Sequence, residues 1–269
     1  MMFFRSRETA TMTVCMVLWA WFAAAACAQS SLEYTPYAID VFLAVENPAD
    51  LDTPAREALL RRLEDLSRAH SGPAWSLTGY AAEDALLGEM IAALDDAAVS
   101  RWVELTPAEA ARDKAMYLRV AKSRSQWQLS VRELDMRTYH LSPTFERDGV
   151  PDARLAEEVF DLLVSAFSPT VRLNVAERDT VTGTLQAAGL VTDVASPVLV
   201  REKEPALSVV RHNDRLGRAT PDRVFEIPWT VLETIGADGP KLTFQIHSAQ
   251  QNPLGRKSRL RLVRYAQVL

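Results

Sequence analysis

The stretch KAMYLRVAKSRSQWQLSV, residues 114–131, decides the fold. Met116, Leu118 and Val120 recur at a period of two, and Trp127, Leu129 and Val131 repeat that spacing after the polar run Lys122 to Gln126. Successive side chains of a strand point to opposite faces, so this pattern predicts an antiparallel hairpin. A hairpin lying among helical segments predicts a mixed α+β sheet and not an all-parallel one.

Upstream, Tyr37 to Val45 carries Ile39, Val41, Phe42, Leu43 and Val45, the nearly continuous apolar run of a buried strand. Thr53 as cap and Pro54 at the first helical position open a helix in which Leu59, Leu60, Leu63 and Leu66 recur at helical spacing, until Gly72-Pro73 breaks it. Trp75 to Tyr80 reads as a second strand. Ala82 to Asp96 reads as a helix with Leu86, Leu87, Met90, Ile91 and Leu94 in one stripe. Downstream of the hairpin, a third helix after Pro151 turns Leu155, Val159, Leu162, Leu163 and Ala166 inward. Pro169 stops it, and Val171, Leu173 and Val175 then alternate as a strand.

After Glu177 the helical period disappears. Short apolar runs remain at Val181 to Ala187, Val194 to Val200, Leu207 to Val210, Val224 to Ile227, Leu242 to Ile246 and Leu260 to Tyr265, punctuated by glycine and proline. Many short strands at this spacing predict a small all-β barrel or sandwich. The expected organisation is therefore a leader over 1–28, a mixed α/β sandwich-like domain with three main helices over 29–176, and a β-rich domain over 177–269. Charge follows the same division. Residues 29–170 hold 14 Lys/Arg against 24 Asp/Glu, whereas 171–269 hold 14 against 10. Such asymmetry speaks to association and solubility, not to fold. No repeat or low-complexity tract follows the leader, and Leu269 ends a strand-like run with hardly any tail, as the front part of a longer protein would.

The leader sets the expected address. Arg5 and Arg7 precede an apolar stretch from Val14 to Ala28 that ends in Ala26-Cys27-Ala28. A core of about 15 apolar residues suits a cleaved export signal better than the usual span of about 20. The alternatives are an uncleaved membrane anchor and a lipid on Cys27, although Ala24 stands where a lipoprotein signal usually has Leu. Cleavage would remove Cys15 and Cys27, the only cysteines, leaving a periplasmic or extracellular chain whose stability comes from packing. Thiolate nucleophiles, thiolate zinc sites and iron–sulfur clusters are then excluded. Arginine outnumbers lysine 25 to 5, a bias of GC-rich bacterial coding sequences.

No phosphate-binding Gly-Lys-Ser/Thr loop, G-x-G-x-x-G turn, H-E-x-x-H helix or G-x-S-x-G elbow occurs, and nothing calls for a cofactor or a metal. Of the four histidines, His212 alone has polar company of a catalytic type, in Arg211-His212-Asn213-Asp214-Arg215. His212 with Asp214, or a carboxylate such as Asp222 or Glu226, would make a hydrolase acting on an envelope polymer. The plainer reading is a polar turn before Gly217. Glu46-Asn47-Pro48-Ala49-Asp50-Leu51-Asp52 is an oxygen-rich loop without EF-hand spacing, so a solvated turn with Asp52 or Thr53 capping the helix is expected.

Arg256, Lys257, Arg259, Arg261 and Arg264 crowd the C-terminal segment as a candidate surface for an anionic partner. The plainer reading is an edge strand guarded by charge. Trp229 after Pro228 would serve as a flat saccharide platform if exposed, but burial is expected for Trp75, Trp102, Trp127 and Trp229 alike. Together these features predict a non-enzymatic exported envelope or extracellular protein acting as an interaction and assembly module. Its partner would be a protein or an anionic envelope polymer, not nucleic acid, with membrane contact only through a retained leader.

Overall fold

The computed structural model describes residues 32–82, 85–93, 99–106, 113–174, 177, 179–215, 219–255 and 262–269. The leader and most of the basic C-terminal run lie outside these residues. Among the described residues, four helices, a five-stranded mixed sheet and a closed six-stranded barrel make an α+β fold with a small β-barrel part.

The sheet order is β2-β1-β3-β4-β5. β1 (Tyr37–Val45) pairs in parallel with both β2 (Trp75–Ala81) and β3 (Lys114–Ser123). β3 and β4 (Gln126–Asp135) form the expected hairpin, and β5 (Phe145–Val150) adds antiparallel to β4. Helices cover both faces. α1 (Thr53–His70) and α4 (Leu155–Ala166) pack Leu59, Leu63, Val159 and Leu163 onto Ile39, Val41, Met116, Leu118 and Val131. α2 (Ala85–Ala93) and α3 (Val99–Leu105) pack Leu87, Met90, Ile91 and Trp102 onto Phe42, Ala115 and Tyr117. Each fully buried aliphatic side chain contributes about 1.5–3 kcal/mol, so this alternation between two covered faces specifies register strongly.

Local chemistry explains the ends of α1. The Asp52 carboxylate accepts from the Ala55 amide at 2.9 Å and is the cap, the first of the two expected candidates Asp52 and Thr53, while Pro54 occupies the first turn. α2 keeps Leu87, Met90 and Ile91 inward but leaves Leu86 exposed, narrowing the stripe; Leu94 lies outside the described residues. α3 is an addition, at seven residues too short to show a helical period.

The barrel order is β10-β7-β6-β11-β8-β9, closed by antiparallel pairing of β9 with β10. Its strands are β6 (Thr170–Leu173), β7 (Thr180–Leu185), β8 (Pro205–His212), β9 (Val224–Asp238), β10 (Lys241–Ser248) and β11 (Leu262–Val268). Three differences from expectation have physical causes. β6 is a barrel strand although it precedes residue 177, because β11 and β7 pair with it on either side. Val194 to Val200 is not a strand. Pro197 offers no N–H, and Ser196 and Leu199 donate to Asp193 and Ser196 carbonyls in successive turns, while Val198 and Val200 plug the core from a loop. β11 is not an edge: it lies between β6 and β8, and closure leaves the barrel no free edge to guard.

One buried cluster runs from Ile39 through α1 and α4 to Val171, Leu185, Leu232, Phe244 and Val268, joining the sheet's face to the barrel interior. The barrel is tightly filled. A Cβ on Gly183 would meet Val171 Cγ1 at 2.5 Å and the Arg172 carbonyl oxygen at 3.1 Å, so no larger residue fits there.

Candidate functional site

Proline in a strand removes a ladder donor, and Pro228 does this in the middle of β9. Pairing with β8 jumps from Leu207↔Val231 to Val209↔Glu226, so residues 227–230 form a wide bulge. Chemistry from β10 and its tail holds that bulge. The Ala249 amide donates to the Trp229 carbonyl at 3.3 Å, Gln250 Nε2 donates to the Pro228 carbonyl at 3.0 Å, and the Thr230 and Ser248 hydroxyls are 2.7 Å apart. Trp229 itself sits at φ 57°, a left-handed conformation that costs a non-glycine residue about 1 kcal/mol or more.

The consequence overturns the expected burial of all four tryptophans. Trp75, Trp102 and Trp127 are buried, but Trp229 is 81 % exposed. Phe225 at 53 %, Val231 at 42 % and Ile235 at 48 % exposure stand on the same strand, while Thr230, Leu232 and Thr234 between them are buried. Four of the nine large hydrophobic side chains exposed among the described residues thus come from β9. Polar groups interrupt the row: Glu233 is 2.9 Å from His247 Nε2 on β10.

Beside the bulge, Asp179, Ile246, Ser248, Gln250, Gln251, Asn252 and Pro253 line an open cleft of about 440 Å³. That volume lies within the range of small-ligand sites.

A buried ionic seam fixes the barrel against the sheet. Lys114 Nζ lies 2.8 Å from Glu133 Oε1 and 2.6 Å from Asp135 Oδ2, and all three side chains are essentially inaccessible. The ammonium also donates to the Ser168 carbonyl, and the Ser168 amide donates to Glu133 Oε2 at 3.0 Å. Thr170 of β6 donates its hydroxyl to Asp135 and its amide to the Tyr37 hydroxyl, while Gln267 of β11 bonds Ser168 and Thr138. One ammonium faces two carboxylates. Burial pushes Glu133 up to about 7 against the pull of Lys114, with Asp135 adding to the rise. Burial would also raise Asp135, but Lys114 and the hydrogen bonds from Lys114, Thr170 and Thr138 override it and hold that carboxyl well below its ordinary value. The seam is sealed from solvent, so it positions the barrel and offers no substrate access.

The residues singled out from sequence are dispersed. His212 ends β8, exposed, with its ring 6.1 Å from Phe225 and edge-on to it. Asp214 is exposed in the following turn, and Asp222 is exposed in the single 3₁₀ turn Pro221–Arg223. Glu226 on β9 lies 3.3 Å from His140 Nδ1, so the carboxylate that finds an imidazole does so across the sheet and barrel. Of the basic run, Arg256, Lys257, Arg259 and Arg261 lie outside the described residues. Arg264 is buried, its Nε has no hydrogen-bond partner among the described residues, and desolvation lowers its pKa. In the loop after β1, Glu46 pairs with Arg119, Asn47 accepts from the Ala49 amide and Asp52 caps α1, the solvated turn expected. Among the described residues no cluster of three or more metal-ligating side chains occurs.

The residues that sequence reasoning missed are Phe225, Val231 and Ile235. Their signal is the alternation of Trp229, Val231 and Ile235 with Thr230, Leu232 and Thr234, hidden because Pro228 reads as the end of a strand. No helix among the described residues is long and apolar enough to cross a membrane.

No protein-family model and no curated protein matches the chain. Among solved structures it is similar to TolB from Acinetobacter baumannii, with a TM-score of 0.30 and 11 % identity over 82 % of this chain. The chain spans 62 % of that structure's length, and a likeness at this level carries no argument about fold or role.

Proposed function

We propose that this protein is an exported, non-enzymatic interaction module of the bacterial envelope that docks a partner protein on the outer face of β9. The observation that carries the reading is the set of exposed apolar side chains Trp229, Val231 and Ile235 along one strand of a closed barrel, with Phe225 exposed on the same strand beyond the bulge. Aromatic residues are enriched where proteins meet, and large apolar side chains gathered in the exposed part of one strand mark a contact surface. Closure of the barrel leaves no edge for strand addition, so recognition runs through side chains. The buried seam and shared core hold the face rigidly, which lowers the ordering cost of binding. Export rests on the basic, apolar leader with its small-residue cleavage pattern.

The test is retention of the purified exported protein on envelope fractions of its own host at moderate salt. Val231→Asp with Ile235→Asp places two charges on the row without touching the core. The double variant should bind at least about tenfold more weakly while melting with the wild type, since exposed substitutions usually change stability by no more than about 0.5 kcal/mol. A wild type that is not retained, or a variant retained equally well, would contradict the reading.

A further inference from the structure

We infer that the cleft beside the β9 bulge is a binding site for an uncharged saccharide, with Trp229 as its stacking platform. This site is separate from the protein-docking row except for Trp229, which both use. A pyranose ring presents an apolar C–H face and a rim of hydroxyls that each donate and accept. Its receptor needs a flat π surface, whose negative face attracts C–H groups, beside side chains that can both donate and accept.

Both halves are present. Trp229 supplies an indole that is 81 % exposed and held out by a bulge fixed through Ala249 and Gln250. The cleft supplies Gln251, Asn252 and Asp179, whose side chains make no hydrogen bond among the described residues, with Ser248 and Gln250 beside them and Ile246 as an apolar wall. Amides match hydroxyls because they offer a donor and an acceptor in one plane, and a carboxylate accepts from two adjacent hydroxyls.

Continuity between the two halves comes from the chain itself. Gln250 donates to the carbonyl of Pro228, Ala249 to that of Trp229, and Ser248 meets Thr230, so the cleft wall and the backbone that carries Trp229 are a single hydrogen-bonded unit. Asn252 stands at φ 51°, a conformation that Asn tolerates better than most residues, and it presents the turn that forms the cleft's rim. Among the described residues that line the cleft, Asp179 is the charged one. Its carboxylate disfavours an acidic sugar, and an uncharged one carries no such cost.

The experiment is an amide and indole NMR titration of the exported protein with neutral tetramers of glucose and of N-acetylglucosamine, and with a galacturonate tetramer as the charged comparison. The inference expects millimolar or tighter binding of at least one neutral tetramer that moves the Trp229 indole and the Gln250, Gln251 and Asn252 side-chain amides. Asn252→Gly keeps the left-handed backbone and removes only the amide, and it should weaken binding about tenfold, while Trp229→Ala abolishes it. Unchanged indole signals of buried Trp75, Trp102 and Trp127 show that each variant is folded. No shift at these groups with either neutral tetramer, or equal binding of galacturonate, overturns the inference. Val231→Asp with Ile235→Asp should leave saccharide binding intact, so loss of envelope retention and loss of sugar binding are read separately.

Discussion

Replacing Lys114 by Met should destabilise the protein by about 3–5 kcal/mol, more than any surface change, because it strands Glu133 and Asp135 in the seam without a counter-charge. The partner groups cannot relax to water, since Glu133 and Asp135 are both essentially inaccessible. Adding Glu133→Gln and Asp135→Asn to Lys114→Met should restore a large part of the loss by removing the uncompensated charge. Denaturant unfolding of the single and triple variants measures both steps. A single variant as stable as the wild type would contradict the seam.

Acid–base behaviour of the wild type follows from the same groups. Glu133 keeps a proton in the folded state up to about pH 7, whereas the unfolded chain loses it near the ordinary carboxyl value. The native state therefore binds more protons across that window, and its stability falls as pH rises from the unfolded value to about 7. Asp135 acts in the opposite sense. Its stabilisation is complete above the ordinary Asp value and is lost as pH falls through its depressed folded value. In the Glu133→Gln variant the decline in stability towards pH 7 should flatten.

Truncating Trp102 to Ala should cost about 3–5 kcal/mol, concentrated in one layer of the fold. Trp102 is fully buried, its ring 4.4 Å from that of Tyr117, and it anchors a helix of seven residues that could not persist alone in water. Around it, the Thr106 hydroxyl donates to the Trp102 carbonyl and accepts from the Tyr117 hydroxyl at 2.6 Å. Loss of the indole should thus open α2 and α3 together, seen as amide exchange accelerated there and not in the barrel. Trp102→Phe should be far milder. It keeps the ring and removes an indole N–H that has no hydrogen-bond partner among the described residues. Equal losses for Ala and Phe would show that packing is not what holds this layer.

The elements legible in the sequence are those whose periodicity comes from one covered face or from two. β1, α1, the β3–β4 hairpin and α4 fall where Ile39, Leu63, Leu118 and Leu163 place them. The seam was not legible. Lys114, Glu133 and Asp135 read as polar positions of a solvated hairpin end, and only docking of Thr170 and Gln267 from the barrel encloses them. Val194 to Val200 shows the converse: its valines are apolar for plugging a core from a loop, which a strand pattern mimics.

The candidate site was legible only as a lone tryptophan. Pro228 looks like a terminator, so the continuation of β9 to Asp238 and the exposure of Phe225, Val231 and Ile235 were hidden. His212 ends β8 with its ring edge-on to Phe225 of β9, a contact that only the pairing of the two strands creates.

A photo-reactive residue placed at Ile235, in the full chain expressed in its own host, tests the docking face most directly. The same residue at Arg172, exposed on β6 across the barrel, is the comparison. The account predicts one discrete envelope-protein adduct from position 235 and none from 172. Absence of an adduct at 235, or identical adducts from both positions, would contradict it.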